Sequence, residues 1–290
     1  LEIQDGEPEY NIPINRVGFK NLWKRVMIES PYGTLPIDLE INVYIDLPSN
    51  RKGAHLSRNV EAIGEEIKFP TSAKSIEAYL GKIHNSLLKL HPYAKNARVE
   101  ASTRYGVNIE YGDLSGIEPA YVSISVEGCK EKRWTVSVGI YGMTACPSAQ
   151  GTISSMMNIK ELAPSHSQKV LLFGTIEIPG SNVIIRIEDI AQCLSKAFSA
   201  PAFTLLKRYD EGKLVIGAHR NPKFVEDVVR DAIRSLRCLA EGLPGETTIK
   251  AEAISFESIH PHNVYAYAEG RLSELPKKGC EEICSELPHP

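Results

Sequence analysis

Four short stretches of this 290-residue chain set reactive side chains beside turn residues, outside any regular hydrophobic period. A rigid scaffold can aim groups placed this way. In the first, Asn50-Arg51-Lys52-Gly53-Ala54-His55-Leu56-Ser57-Arg58, three cations, an imidazole and a hydroxyl fall within nine residues. They can meet a phosphate chain through charge-assisted hydrogen bonds, or form a solvated turn. In the second, Gly142-Met143-Thr144-Ala145-Cys146-Pro147, a cysteine sits between a strand end and a proline. It can present a thiolate to a metal or substrate there, or be a small buried hydrophobe. The third, Ser165-His166-Ser167-Gln168, starts a strand with an imidazole. In the fourth, Glu257-Ser258-Ile259-His260-Pro261-His262, carboxylate and imidazole stand three residues apart and converge only if the backbone bends, which Pro261 favours. Thiolate, two imidazoles and a carboxylate suit Zn²⁺ or Fe²⁺ better than Ca²⁺ or Mg²⁺. Far apart in sequence, they must be assembled by the fold.

Two further carboxylates belong to helical or near-helical stretches. Glu211 closes Lys207-Arg208-Tyr209-Asp210-Glu211, and Glu226 lies at the edge of the apolar stripe Phe224, Val225, Val228, Val229, Ile233, Leu236. Periodicity alone makes both solvated glutamates.

The elements that must position these groups follow from hydrophobic period. Ile37, Leu39, Ile41, Val43, Ile45 and Leu47 alternate with polar residues, a long strand with one wet face. Val17 to Ile28 is strand-like, and Ser30-Pro31-Tyr32-Gly33 supplies a hairpin turn. Pro70-Thr71-Ser72 offers a helix cap before the stripe Ile76, Tyr79, Leu80, Ile83, Leu87, Leu90, which Pro92 ends. Strands are expected at Ala97 to Tyr111, Tyr121 to Val126 and Trp134 to Ile140. The second half repeats the rhythm: a strand at Lys169 to Ile178, helices around Ile187 to Phe198 and from Pro222 to Leu239, and strands at Thr247 to Glu257 and Val264 to Ala268. Asn221 is the expected cap of the later helix, with Pro222 at its first position. The fold class is therefore α+β, two tandem antiparallel-sheet units backed by helices, residues 1–160 and 161–290. The boundary is expected in the Gly/Ser/Met stretch Gly151 to Ser167, and a loose tail from Gly279 and Cys280 onward.

Composition narrows the class of function. A hydrophobic fraction of 42% and a charged fraction of 24% exclude collagen, coiled coil and wholesale disorder. The net charge of −3, from 33 basic and 36 acidic residues, argues against a sequence-independent grip on nucleic acid. No run approaches the ~18 apolar residues of a membrane helix and no basic-then-apolar leader opens the chain, so a cytoplasmic protein without membrane partners is expected. Six cysteines without a CxxC pair are expected to be mostly reduced, buried and inert.

Taken together, the clusters resemble the type IB GTP cyclohydrolases and their archaeal relatives of the MptA kind, in the tunnelling-fold superfamily. The motifs that carry the resemblance are Leu47-Pro48 through Arg58 with its His-x-Ser-Arg core, the Thr-x-Cys-Pro turn, Leu205-Leu206-Lys207-Arg208-x-Asp210-Glu211, Asn221-Pro222-x-Phe224-Val225-Glu226-Asp227 and Glu257-Ser258-Ile259-His260. Ala54 and Asn59 stand where bacterial members carry a threonine and an aromatic residue, which favours the archaeal type.

The resemblance implies a bimodular tunnelling fold, a homo-oligomer (dimer or tetramer) with interfacial active sites, and GTP as substrate. It also implies Fe²⁺, with Mn²⁺ or Zn²⁺ as alternatives. Water adds at guanine C8, the imidazole ring opens and formate leaves. The product implied is 7,8-dihydroneopterin 2′,3′-cyclic phosphate for methanopterin-type cofactors; the alternative is the open triphosphate for folate. By the same resemblance Cys146, His166, Glu257 and His260 are metal ligands, and Glu211 is a carboxylate of the metal site, directly or through water. Cys146, His55, His166 and Glu211 are the catalytic set. Glu226 anchors the purine or pterin ring, while Lys52, Arg58, Lys207 and Arg208 serve the phosphates. His55 is a proton donor, imidazole having an ordinary pKa of ~6.5. Two other readings compete: a tunnelling-fold nitrile reductase with Cys146 as nucleophile, for which two histidines and Glu257 are surplus, and a non-catalytic purine- or pterin-binding module, which needs only Glu226.

Overall fold

The computed structural model describes residues 3–30, 33–64, 71–180, 185–277 and 280. The chain divides into two compact units, one of Leu1–Arg104, Ser123–Val136 and Pro179–Ile184, the other of Tyr105–Val122, Ser137–Ile178 and Ile185–Pro290.

In the first unit β1 (Ile14–Ser30) and β2 (Gly33–Leu47) form a long antiparallel hairpin. Its expected turn residues Pro31 and Tyr32 lie outside the described residues. The alternation read from sequence is realised: Ile37, Leu39, Ile41, Val43, Ile45 and Leu47 are all buried, and their neighbours face outward. Each such side chain contributes about 1.5–3 kcal/mol of burial, enough to hold the register against a one-residue slip that would expose the whole set. Next come α1 (Leu56–Gly64), β3 (Thr71–Ala73) and α2 (Ile76–Leu90).

The expected cap at residues 70–72 is corrected here. Thr71–Ala73 pairs parallel with Val26–Ile28 of β1, and Pro70 lies outside the described residues. The cap of α2 is Ser75, whose Oγ accepts the Ala78 N–H at 3.1 Å. Burial of Ile76, Tyr79, Leu80, Ile83 and Leu87 follows the expected stripe and adds His84, whose Nε2 faces the carbonyls of Ala97 and Gly128 at 3.2 and 3.0 Å.

Three long strands follow, β4 (Ala97–Tyr111), β5 (Leu114–Gly128) and β6 (Lys132–Ala145), each contributing residues to both units. The compact units therefore interleave along the chain, and the expected division after residue 160 falls inside the second of them.

The second unit continues with α3 (Pro147–Met157), β7 (Ser167–Pro179), α4 (Ile187–Ser195), the two-residue β8 (Ala200–Pro201), α5 (Arg208–Arg220), α6 (Val225–Leu239), β9 (Thr248–Phe256) and β10 (Val264–Arg271). The strand order is β10-β9-β7-β6-β5-β4-β2-β1-β3, with β8 paired to β6. Helices α4 and α6 rest on β7 where Gly174 leaves room: a Cβ there would lie 2.7 Å from Leu194 and 2.8 Å from Leu236.

Three expectations are corrected in this unit. Helix α3 occupies the start of the Gly/Ser/Met stretch, from Pro147 at its first turn to Asn158 in the left-handed region at φ 51°. None of its residues is buried, so no apolar period announced it. Asn221 caps the end of α5, not the start of α6; the first residue before α6 is Phe224, whose N–H donates to Asp227 at 3.1 Å. Cys238 of α6 is disulfide-bonded to Cys280, which ties to this helix a residue expected in a loose tail. Of the other described cysteines, Cys129 is exposed, Cys146 half-buried and Cys193 buried. Cys284 and residues 281–290 lie outside the described residues. Among the described residues no helix is long and apolar enough to cross a membrane.

Candidate active site

Cys146 is the residue at which β6 ends and α3 begins. Its sulfur accepts the Ala149 N–H at 3.5 Å, so the thiol sits over the first turn of a helix. Its own N–H donates to the His166 carbonyl at 3.2 Å, and Ser165 Oγ donates to the Cys146 carbonyl at 2.8 Å. Two stretches twenty residues apart in sequence are thereby fastened backbone to backbone. The carbonyls of Ala163 and His219 accept from Gln150 Nε2 of α3 at 3.0 and 2.8 Å, which brings the end of α5 to the same place. The Lys223 N–H donates to the Ala145 carbonyl at 3.1 Å and fixes the entry to α6.

His166 precedes β7 and Glu257 follows β9, and these strands pair antiparallel with Lys169 opposite Phe256. In the sheet order β7 stands between β6 and β9, so Cys146, His166 and Glu257 sit at adjoining strand ends. The half-buried Glu257 accepts from Ser255 Oγ at 2.7 Å. His260 is exposed, its ring stacked on His262 with centroids 5.3 Å apart. Among the described residues no three His, Cys, Asp or Glu side chains stand close enough together to hold an ion. The donor chemistry nevertheless fits one: Cys146 is a free thiol, and the ring nitrogen Nδ1 of His166 is buried without a hydrogen-bond partner among the described residues. Such an orphan is costly unless something absent from the chain completes it.

The remaining candidates of this unit lie on helix starts. Lys207 precedes α5, and Arg208 and Glu211 occupy its first turn, all three exposed. Glu226 is exposed on the first turn of α6. Around them large apolar side chains are uncovered: Leu205 is 83%, Tyr209 78% and Met156 80% exposed.

In the first unit, the cationic stretch is not a plain turn. His55 immediately precedes α1 and Arg58 lies in that helix's first turn, its guanidinium donating to the Leu90 carbonyl at 3.4 Å. Lys52 is exposed. Arg51 and His55 both meet Asp5, a residue that sequence reasoning passed over, with Arg51 Nη1 at 2.6 Å and His55 Nε2 at 3.0 Å from the same carboxylate oxygen. The Arg51 guanidinium lies 4.1 Å above the Tyr93 ring, Tyr93 meets His91 Nδ1 at 2.9 Å, and His91 Nε2 meets Asn59 at 2.6 Å. Burial and the cations Arg58 and Arg51 push His91 down from its ordinary 6.5 to about 4, so the ring is neutral. No spacing rule could have exposed this chain of contacts, since Asp5 and His55 are fifty residues apart.

Known proteins resemble this chain over nearly its whole length. The family described as Type I GTP cyclohydrolase folE2 matches residues 1–266. GTP cyclohydrolase MptA of Aeropyrum pernix is 43% identical over 279 residues, 95% of this chain and 97% of that protein. GTP cyclohydrolase MptA of Thermoplasma acidophilum is 34% identical over 292 residues, 96% of this chain and 97% of that protein. The solved structure of uricase from Arthrobacter globiformis matches with a TM-score of 0.50 at 11% identity, over 95% of this chain and 96% of that one. That likeness carries the fold alone, the α+β tunnelling architecture. On both the matched length and the identity, the chain belongs to the type I GTP cyclohydrolase folE2 family, on its archaeal MptA side.

Proposed function

We propose that this protein is a metal-dependent GTP cyclohydrolase that adds water at guanine C8, opens the imidazole ring and releases formate. The product we assign is 7,8-dihydroneopterin 2′,3′-cyclic phosphate, for a methanopterin-type cofactor. The observation that carries the reading is the fastening of Cys146 to His166 at adjoining strand ends, with a buried imidazole nitrogen left over, in a chain of this family.

Cys146 and His166, with Glu257 and His260, are the residues that would hold the ion, and Glu211 is a carboxylate of the same site. Fe²⁺ is the metal of choice, and Mn²⁺ or Zn²⁺ suit the same donors. A bound ion lowers the pKa of water and stabilises charge developing at the attacked carbon. The chain's own groups do the rest. The Glu226 carboxylate accepts hydrogen bonds from the guanine N1–H and 2-amino group, which fixes the ring by its donor edge. Lys52, Arg58, Lys207 and Arg208 hold phosphate oxygens as cations. His55 moves a proton during C8 attack or ring opening. A 2′,3′-cyclic phosphodiester keeps one of the three phosphorus atoms: the neighbouring ribose-derived hydroxyl oxygen bonds to that phosphorus as its bond to the next phosphate breaks, so diphosphate leaves as well as formate. The uncovered apolar side chains Leu205, Tyr209 and Met156 support a homo-oligomer in which association buries the flanks of α3 and α5.

The test is protein purified anaerobically, loaded with Fe²⁺ and given GTP, with formate and diphosphate both measured. One formate and one diphosphate per GTP are expected. Formate without diphosphate would replace the cyclic product by the triphosphate, and no formate would sink the reading.

A further inference from the structure

The N-terminal turn Ile3–Asp5 is held against the cationic loop by its backbone as well as its side chains. The Lys52 N–H donates to the Gly6 carbonyl at 2.9 Å and the Gly53 N–H to the Gln4 carbonyl at 3.1 Å. A side chain at Gly53 would press on Gln4, with Cβ 3.2 Å from its Cγ, so glycine there permits the close approach. Asp5 is delivered in this way to a point where one carboxylate oxygen receives both Arg51 and His55. The His55 side chain is only 10% exposed, while Asp5 is 42% exposed.

Arg51 is itself fixed from behind. Asn59 and His91 are fully buried. With His91 neutral and its Nε2–H donated to Asn59, the other ring nitrogen accepts the Tyr93 hydroxyl proton, and the Tyr93 ring carries the Arg51 guanidinium. Asp5 therefore meets two donors whose positions are set by a buried network.

We propose that Asp5 is the positioning residue for His55: its carboxylate takes the Nε2–H, so that Nδ1 becomes the nitrogen that gains and loses the proton in turnover. A carboxylate on one ring nitrogen selects the tautomer, orients the ring and steadies the imidazolium while the other nitrogen carries the proton. Arg51 shares the same carboxylate oxygen and fixes it from the other side. Among the described residues, Asp5 of the N-terminal turn meets the His55 ring, and Arg51 of its own loop, Arg58 of α1, and His91 and Tyr93 after α2 are the other charged and titratable groups of this cluster. The inference rests on the reading that His55 serves the cyclohydrolase reaction.

The test uses the full-length, metal-loaded protein and the variants Asp5→Asn, Asp5→Glu, His55→Ala and Asp5→Asn/His55→Ala. Asp5→Asn is expected to lower kcat about 10- to 100-fold with KM changed less than about threefold, the pattern of a lost orienting group. Asp5→Glu should recover most of the rate, and Asp5→Asn should cost nothing further in the His55→Ala background. Imidazole ¹⁵N NMR gives a readout independent of turnover: a single Nε2–H tautomer of His55 in the wild type, and a mixture in Asp5→Asn. A raised KM with unchanged kcat would make Asp5 a mere organiser of the phosphate cations and overturn the proposal. So would a further loss of the same size when Asp5→Asn is added to His55→Ala, or an unchanged tautomer. His55→Ala with full activity would strike down the role of His55 itself, and with it the need for a positioning residue. A wild type that releases no formate would sink the cyclohydrolase reading, while the NMR result would still decide whether Asp5 fixes the ring.

Discussion

His91 makes the acid sensitivity of this fold calculable. The ring is fully buried, donates to Asn59, accepts from Tyr93, and is pushed from 6.5 to about 4 by burial and the neighbouring cations. Its folded pKa is depressed, so the unfolded chain binds more protons at this site, and stability falls as pH drops below about 6.5 and levels off below about 4. The gap is worth at most about 3.4 kcal/mol, of which about 2 kcal/mol disappears between pH 7 and pH 5. Relaxation and water penetration around the charged ring bring the expected loss to about 1–2 kcal/mol. Asp38, Asp113, Glu127 and Glu241 are held below the usual carboxylate range by Arg25, Lys213, Arg98 and Arg237, so they titrate outside this window. His84, lowered chiefly by burial, has the same sign as His91, and Asp189, raised by burial, the opposite one. Both remain in a His91→Gln variant, whose amide can donate to Asn59 and accept from Tyr93. Urea unfolding of wild type and variant at pH 7 and pH 5 should therefore differ by that 1–2 kcal/mol, with the variant the less acid-sensitive. Equal loss in both proteins would show that His91 is protonated in the folded state and that the network is wired differently.

Cys146→Ala and His166→Ala should each abolish turnover and bound metal while far-UV circular dichroism stays unchanged; full metal content in both would remove them from the ligand set. Glu226→Gln should keep the metal and weaken GTP binding by about 1.5–3 kcal/mol, since an amide offers a donor where the guanine edge needs acceptors; calorimetry with GTP and ATP checks this, and equal wild-type affinity for the two would defeat it. Gly142→Ala should cost about 1–3 kcal/mol, because its Cβ would fall inside the buried Phe198 ring. Phe198→Leu in that background should recover part of the loss, and a Gly142→Ala protein with wild-type melting temperature would refute the packing.

Strands and helices that bury one face were legible from the sequence, because burial imposes a period of two or 3.6 that composition cannot hide: Ile37 to Leu47, Ile76 to Leu87 and, in α6, Val225, Val228, Val229 and Leu236 lie where that period puts them, while Phe224 of the expected stripe stands before the helix and is exposed and Ile233 is only half-buried. The motifs around Cys146, His166 and Glu257 could be named because reactive residues beside turn formers stand out against periodic segments, whereas Glu226, a solvated glutamate by periodicity alone, was named only through the family resemblance. Elements that bury nothing were not legible. Helix α3 carries no buried residue, and what specifies it is a cysteine cap, a proline and a left-handed asparagine. The start of α6 at Val225 was decided by the Lys223 contact with Ala145 and by Asp227, which left Asn221 to end α5. Contact between distant residues is the remaining class. Cys146 with His166, Cys238 with Cys280 and Asp5 with His55 are joined by strand order and chain return, and no local pattern records which far segment the chain will meet.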